Sequence, residues 1–316
     1  MATLQSTNIS DTGFIQVAAG NTGTRPAQPV TGMIRFNTDY SKVETYKDGK
    51  WVDIVNGIVI GAGETAATAA NSAVEIKIAN PEATDGVYWI DLPTVGATQV
   101  YCIMDSRYDG GGWMMTMKAT RGNTFQFTSS YWTSTNTLNT GSLNQGDADA
   151  KFQTFNYFEG RDLLARFPDI GNGGSLSVGN WTWLQNGYSD FIGQSSSTLV
   201  NLFNTANRTF IGDAKQYSGY GSAWSSQVDV RFYGFNYFNN QGLGNGTRTR
   251  WGFGWNENGG GLFPNGNMDS DDVAGGIGMN GVQQNTGARY SAGDVIGCCE
   301  DSVGINRSAR VEMYVR

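Results

Sequence analysis

Two aspartates in the C-terminal part of the chain have the spacing of a cation-binding turn. In the run Asp269-x-Asp271-x-Val273-x-Gly275, alternate residues point to one side of an extended turn. The run therefore offers two carboxylates followed by two backbone carbonyls, the hard oxygen ligands that calcium prefers. It is not an EF-hand, because it lacks the glycine and the glutamate which that loop requires at its sixth and twelfth positions. A bare Asp-x-Asp turn is otherwise interpreted as a solvated, hydrogen-bonded loop.

The residue types that most often carry out catalysis are poorly represented. The chain contains no histidine, which removes the commonest general base, the usual partner of a serine or cysteine nucleophile, and the commonest transition-metal ligand. No pair of carboxylates has a sequence context that favours glycoside hydrolysis over a solvated or calcium-binding role. The adjacent Cys298 and Cys299 lack the further ligands of a zinc site, so burial as two small apolar residues is favoured. We therefore expect a protein that is not an enzyme.

Charge and hydropathy argue against two further classes of partner. The net charge is −7 and no cluster of lysine or arginine occurs, so the positive field that gathers nucleic-acid phosphates is missing. No apolar stretch is long enough to span a bilayer, and no positively charged segment followed by an apolar one begins the sequence. We expect no nucleic-acid binding, no membrane insertion, and synthesis in a cytoplasm.

The N-terminal part of the chain has the pattern of a small β-sheet. Residues 1–30 are rich in threonine, serine, asparagine, glycine and proline, which favours extended chain that orders against a neighbour. Short strands are predicted from Met33 to Phe36, from Lys42 to Tyr46 and from Lys50 to Ile54. Asp48-Gly49 predicts a tight hairpin between the last two, since both residues tolerate positive φ. Three short strands cannot bury their own apolar face, so this unit should pack against copies of itself or against a scaffold.

The segment RPAQPVTGMIRFNTDYSKVETYKDGKWVDI, residues 25–54, resembles a module that recurs in tail fibres and other structural proteins of tailed phages. The phrase G-M-I-R-F-N-T followed by Y-x-D-G-x-W carries the resemblance. In that family the module links or mounts a distal domain and is commonly trimeric. The resemblance implies that residues 1–60 attach the chain to other virion proteins and assemble it as a homotrimer.

A helical connection is expected after this module. The alanine-rich run from Glu64 to Ala79 carries apolar residues at helical spacing, notably Val74 and Ile78. Pro81 should end this helix. We interpret residues 61–80 as a linker helix.

A second set of motifs covers the remainder of the chain, residues 81–316, and begins slightly before it. In SAVEIKIANPEATDGVYWIDLPT and VYCIMDSRYDGGGWMMTMKAT, a helix precedes G-V-Y-x-I, then V-Y-C-x-M and G-G-G-W. Together with GDAKQYSGYGSAWSSQVDVRFYGFNYFNN, GGGLFPNGNMDSDD and SARVEMYVR, these motifs resemble fibrinogen-like domains and the related intelectins. Strands should begin at Val87 and Val100, and Gly110 to Gly112 should turn the backbone so that Trp113 enters the core. The implied fold class is mainly β, with a loop-rich α+β C-terminal domain.

The resemblance to fibrinogen-like domains implies a calcium ion in the acidic run. In that family the same spacing forms the calcium loop, and the residues matching Val273 and Gly275 contribute carbonyl oxygens beside the carboxylates matching Asp269 and Asp271. Within this family we favour calcium binding over a solvated loop. The ion either holds a loop in place or, as in intelectins, directly chelates vicinal hydroxyls of an exocyclic glycan diol.

Glycan chelation would draw on Glu257, Asn258 and Asn265, which lie in the stretch that matches the intelectin ligand region. The chain departs from the intelectin pattern in two ways. It has no histidine to supply to the ligand, and Asn265 replaces a glutamate, which lowers the negative charge offered to the cation. Trp251, Trp255 and Phe263 are candidates to stack on a sugar ring, although core packing is favoured for each.

These features lead to one favoured function and two alternatives. We expect a virion protein of a tailed phage, a tail fibre or receptor-binding protein, whose calcium-stabilised lectin-like head binds host-surface glycans. A trimer would strengthen weak individual sugar contacts through avidity. The first alternative is a capsid decoration protein or head fibre with an accessory adhesion domain. The second is an enzyme that degrades surface polysaccharide.

Overall fold

A computed structural model of the chain describes residues 16–55, 61–169, 181–205, 232–238, 248–255, 273–281, 288–296 and 307–316. The described strands form three sheets, of four, seven and five strands. The α-helices are short: Ala73–Ala79 (α1), Gln153–Tyr157 (α2) and Leu199–Thr205 (α3). Single 3₁₀ turns occur at Thr22–Thr24, Ala66–Thr68, Ser130–Trp132 and Tyr188–Ile192. The fold is mainly β, as the sequence predicted, and no described helix is long and apolar enough to cross a membrane.

The N-terminal sheet has four strands, adjacent in chain order: Ala19–Gly20 (β1), Ile34–Asn37 (β2), Lys42–Lys47 (β3) and Lys50–Asp53 (β4). β1 runs parallel to β2, and the other neighbours are antiparallel. Asp48 and Gly49 have φ values of 51° and 79°, as a tight turn between twisted strands requires. The predicted hairpin is confirmed.

A cluster of charged residues is buried on one face of this sheet. Cross-strand pairing aligns Arg35, Glu44 and Asp53 in one row. The Glu44 carboxylate is fully buried, and it accepts hydrogen bonds from Arg25 Nη2 at 2.5 Å and Asn37 Nδ2 at 3.2 Å. Because a lone buried carboxylate is costly, these partners are what make its burial tolerable.

The central sheet of the head contains seven strands. It is formed by Gly86–Leu92 (β5), Gly96–Ile103 (β6), Trp113–Ala119 (β7), Ala150–Lys151 (β8), Leu163–Phe167 (β9), Trp181–Gln185 (β10) and, from the C-terminal part of the chain, Val311–Val315 (β16). The spatial order is β10-β9-β16-β7-β6-β5, and β8 also pairs with β7. The strands predicted near Val87 and Val100 are confirmed as β5 and β6. Trp113 is fully buried directly after three glycines at positive φ, also as predicted.

The five-stranded sheet lies beside the central sheet. It comprises Phe232–Phe238 (β11), Arg248–Trp255 (β12), Val273–Asn280 (β13), Arg289–Ile296 (β14) and Arg307–Ser308 (β15), all antiparallel and adjacent in chain order. Phe235, Trp251 and Ile277 of this sheet join the main hydrophobic cluster formed by the central sheet and the helices, whereas Met279 and Val295 form a small separate cluster. This shared core fixes the five-stranded sheet against the rest of the head.

Helix α1 differs from the linker helix that the sequence suggested. It spans only Ala73–Ala79, and Ser72 caps it by accepting a hydrogen bond from the Glu75 amide. Val74 and Ile78 are 37% and 54% exposed, whereas Ala73 and Ile76 are fully buried. The apolar spacing pointed to the outer face because the inner face consists largely of alanines, which permit close approach but add little to a hydrophobic pattern.

The residues before α1 also pack into the head. Ala70 is fully buried and pairs with Ile90 of β5, and the Trp89 amide donates to the Gly63 carbonyl. Residues before α1 therefore pack against β5 of the head. The division of the chain into residues 1–60, 61–80 and 81–316 stays a prediction.

Candidate calcium and glycan site

The structure describes three of the eight predicted site residues. Trp255 is the last residue of β12, Val273 the first residue of β13, and Gly275 lies further along β13. The other five, which would supply side-chain oxygens to the cation and the sugar, lie outside the described residues: Glu257, Asn258, Asn265, Asp269 and Asp271. Their roles remain predictions.

The segment that carries these five residues leaves and re-enters the sheet at one place. Trp255 and Val273 are direct cross-strand partners, and Val273 also pairs with Ile296 on its other side. Both ends of residues 256–272 are thus held by hydrogen-bonded neighbouring strands. A rigid sheet that fixes the two ends of an insertion is a common support for a binding loop.

Two further connections join the sheet at the same end. Phe232 is the first residue after 206–231, and it pairs with Gly254 near the end of β12. Residues 297–306 connect β14 to β15, where Asp294 pairs with Arg307. We call this edge the loop end of the five-stranded sheet, defined by Phe232, Trp255, Val273, Ile296 and Arg307. Three connections meet there because neighbouring strands are antiparallel.

Val273 and Gly275 occupy regular strand positions. The sequence suggested an extended turn from Asp269 to Gly275, but Gly275 pairs with Phe253 on one side and Asp294 on the other. Its carbonyl oxygen lies 2.1 Å from the point where a Cβ on Gly252 would sit, so it faces β12 closely. The strand pairing extends further than expected because β13 finds partners on both edges, and this information lies far away in the sequence.

The loop end rests on a core of aromatic residues. Trp251 is fully buried, stacks on Phe235 at a ring-centroid distance of 6.0 Å and meets Trp183 edge-on at 5.7 Å. Trp251 is therefore a core residue and not a platform for a sugar ring. The side chain of Trp255 lies outside the described part of the structure.

Arg250 fastens β12 to neighbouring elements. Its Nε donates to the Phe127 carbonyl at 2.8 Å, its Nη1 donates to Asn236 Oδ1 at 2.7 Å, and its guanidinium lies 4.3 Å from the Phe127 ring centroid. Burial lowers the pKa of Arg250 to about 10, so the side chain stays positive at neutral pH. These contacts fix the first half of β12 to Phe127 and to the neighbouring strand β11.

Sequence reasoning missed a buried row of charges in the central sheet. Glu312 on β16 is the cross-strand partner of Lys118 on β7 and of Arg166 on β9. It accepts from Arg166 Nη1 at 3.1 Å and from the Tyr314 hydroxyl at 2.7 Å. Burial raises the pKa of Glu312, while Arg166 opposes this shift. The alternation V-E-M-Y-V placed Glu312 and Tyr314 on one face, but the partner strands lie more than a hundred residues away.

Three lysines hold loops by donating to backbone carbonyls. Lys77 reaches the carbonyls of Met104 and Gly110 at 2.6 and 2.8 Å, and Lys118 reaches those of Asn144 and Gly146 at 2.8 and 3.1 Å. Lys151 does the same for two further carbonyls. An ammonium group offers three donors, so one lysine can fix several carbonyls in a loop that lacks a ladder of its own.

Two other groups among the described residues that could do chemistry, the Cys102 thiol and the Asp85 carboxylate, have structural roles. Cys102 is fully buried, and desolvation raises the pKa of its thiol, so it is not a poised nucleophile. A cavity of about 440 Å³ is lined by Glu82, Asp85 and Asp105 among others. Asp85 Oδ1 accepts from the amides of Met104 and Asp105 at 2.6 and 2.9 Å, which identifies it as a turn cap. No group of three or more acidic or cysteine residues in the described ranges is arranged to hold a metal ion.

Comparisons with known proteins give a limited result. No protein-family model matches the chain, and no curated protein matches it. Among solved structures, the chain is similar to the fibrinogen-like globe domain of human ANGPTL2, with a TM-score of 0.29 and 13% identity. The match covers 78% of this chain and 98% of that domain. The similarity is weak and concerns the fold alone.

Proposed function

We propose that this chain is a structural protein of a tailed-phage virion, a tail fibre or receptor-binding protein, whose head binds host-surface glycans with the help of calcium. The observation that supports this proposal is the pairing of Trp255 with Val273. It places both ends of the segment with the acidic run and the proposed sugar ligands at one edge of a rigid sheet. This is the arrangement expected of a recognition loop on a stable scaffold.

Calcium would act at this loop end. Asp269 and Asp271 would supply carboxylate oxygens, with backbone oxygens at Val273 and Gly275 as the further ligands. Of these two carbonyls, that of Gly275 faces β12, so Val273 at the start of the strand is the better placed contributor. Glu257, Asn258 and Asn265 would then complete the surface that meets the sugar.

Attachment would be the role of the N-terminal sheet. Residues 1–60 would bind other virion proteins on the tail or capsid exterior and assemble the chain as a homotrimer. Several heads on one particle raise the effective concentration of each site, which compensates for weak individual sugar contacts. Quantifying the protein in separated tails and capsids tests where it is attached.

The proposed recognition is tested with a glycan array probed in calcium and in excess chelator. The wild-type chain should bind a defined set of glycans only in calcium, and Asp269→Ala/Asp271→Ala should lose at least about tenfold in apparent affinity. Asp91→Ala, which removes an exposed carboxylate on β5, is the matched control and should bind like the wild type. Glycan binding that is unchanged in chelator and in the double variant would refute the calcium-dependent site.

A further inference from the structure

We propose that copies of this chain associate through one face of the N-terminal sheet, formed by Ile34, Phe36, Val43, Thr45 and Val52. We call it the apolar face. This inference deepens the self-association within the proposed function by naming the surface that carries it. The inference rests on which side chains of the sheet are buried and which are exposed to solvent.

The apolar face is continuous across three strands. Pairing aligns Ile34, Thr45 and Val52 in one row and Phe36 with Val43 in the next. Ile34 is 47% exposed, and the other four residues are partly exposed. Branched and aromatic residues at neighbouring positions on a flat surface leave a contiguous patch, which in soluble proteins commonly marks an interface.

The opposite face of the sheet is already covered. There Arg25 and Arg35 reach the buried Glu44 carboxylate, and Lys42 lies 3.4 Å from Asp53. The residues around the first 3₁₀ turn close over this face, since Asn37 Nδ2 also donates to Thr22 Oγ1 at 3.2 Å. The covered side thus carries the charged cluster together with Trp51, over which Arg25 lies, and the apolar face is the less covered side of the sheet.

Among the residues that the structure describes, the N-terminal sheet contributes to no hydrophobic cluster. Trp51 is the large apolar side chain buried there. Sheets of this size need an apolar face packed against another element to be stable. Covering the apolar face supplies that missing contribution.

Charge favours a second copy of the chain as the partner. Residues 1–60 contain five basic and five acidic side chains, so the whole net charge of −7 lies on the rest of the chain. Identical acidic heads repel one another, whereas neutral N-terminal sheets do not. The rim of the apolar face carries both positive and negative charge, since Lys47 and Asp48 are well exposed at the hairpin tip. In a symmetric assembly, the positive side chain of one copy can therefore lie near the negative side chain of another. An apolar, uncharged centre with a charged rim is the composition of a self-association interface.

Association at this face would also set the direction of the heads. The Tyr40 hydroxyl donates to Glu75 Oε2 of α1 at 2.8 Å, and Glu75 in turn accepts from the Asn71 amide at 3.1 Å. A Cβ on Gly61 would lie 2.7 Å from the Tyr40 hydroxyl oxygen, so the chain passes close to this contact. Sheets that associate would therefore hold their heads in a defined relation, which multivalent binding requires.

The test measures the oligomeric state of the full chain by native mass spectrometry and analytical ultracentrifugation over a concentration series. The wild type should be oligomeric, and Ile34→Lys/Val52→Lys should raise the dissociation constant at least ~100-fold, because two charges would be placed at the centre of the interface. Val95→Lys replaces an apolar residue of similar exposure in the head and should leave the oligomer intact. Ile34→Val/Val52→Ile keeps the face apolar and should do the same.

Folding of the lysine variant is checked by its near-ultraviolet circular dichroism, to which the buried tryptophans of the head contribute. A wild type that stays monomeric at high micromolar concentration overturns the inference. So does a folded lysine variant with unchanged dissociation, or loss of the oligomer in Val95→Lys. The glycan array separates this result from the proposed recognition. A monomer that binds glycans in calcium refutes only the interface, and an oligomer that binds none refutes only the recognition.

Discussion

At the scale of single residues, buried cations hold much of the loop structure in place. Lys151 is fully buried, donates to the carbonyls of Tyr131 and Ser134 at 2.7 and 2.6 Å, and lies 4.4 Å from the centroid of the Phe155 ring. It has no carboxylate among these partners. Desolvation therefore dominates and lowers its pKa to about 7.

This pKa predicts a pH-dependent stability. The unfolded chain keeps a proton on Lys151 up to about pH 10.5, whereas the folded chain keeps it only up to about pH 7. Unfolding takes up a proton in that window, so the free energy of unfolding should rise with pH, by about 2 kcal/mol between about pH 7 and 9. Lys151→Met should lose this rise, measured by urea unfolding at each pH. Lys77→Met is the control and should keep the rise of the free energy of unfolding with pH. The same rise in the wild type, Lys151→Met and Lys77→Met would contradict the prediction.

Glycines allow the backbones of β12 and β13 to approach each other closely. A Cβ on Gly276 would lie 2.4 Å from the Trp251 carbonyl oxygen and 2.7 Å from Gly252 Cα, and Gly276 has a φ of 139°. Gly276→Ala should lower the free energy of unfolding by roughly 3 kcal/mol, because backbone must move to make room. Gly141→Ala, at a position with open space around it, should be nearly neutral. Chemical unfolding of both variants checks the difference.

At the scale of elements, the head is closed by a strand from far along the chain. β16 lies at the centre of the seven-stranded sheet, between β7 and β9, and all five of its residues are buried. The sheet therefore cannot be completed until Val311–Val315 has been placed. Such distant pairing makes slow folding of the head the expected behaviour.

The charge row on β16 gives a direct test of this arrangement. Glu312→Gln keeps the shape but removes the negative charge that accepts from the buried Arg166 Nη1, so the free energy of unfolding should fall by about 3 kcal/mol. Adding Arg166→Met should recover part of the loss, since the buried guanidinium is then replaced by an apolar side chain. Lys47→Gln, in a well exposed ion pair, should change stability little. Thermal unfolding of the wild type and the three variants measures these differences. A Glu312→Gln variant as stable as the wild type would count against a stabilising role of the charge row.

At the scale of the whole molecule, the N-terminal sheet and the head are joined by a polar contact. Burial and the Glu75 carboxylate both raise the pKa of Tyr40 above its ordinary value, so its hydroxyl keeps the proton that it donates. Tyr40→Phe should lose about 1 kcal/mol at this contact and speed hydrogen exchange at the amides of Asn71 and Glu75. Tyr46→Phe is the matched control, since its ring packs on Trp51 within the sheet. Exchange that is unchanged in Tyr40→Phe would show that the contact does not couple the two parts.

Local signals were sufficient for some elements and insufficient for others. The Asp48-Gly49 turn and the entry of Trp113 into the core were predictable, because each depends on residues within a few positions. The packing of α1 was not, since this helix packs against β7, which lies further along the chain. Of the predicted site residues, Trp255, Val273 and Gly275 lie on paired strands. Trp251 lies in the core. The ligand roles of all eight site residues stay predictions.

The sequence by itself determined the N-terminal hairpin and the neutrality of the first sixty residues against an acidic remainder, because short-range turn chemistry and composition decide these. The mainly β fold class followed from the resemblance of its motifs to known domains. Only the tertiary structure decided which faces are buried. Glu44 and Glu312 are enclosed with arginines, while Ile34 and Ile78 remain open. The physical reason is that burial depends on partners that the chain brings together from distant positions, and those partners can outweigh the hydrophobicity of the residue itself.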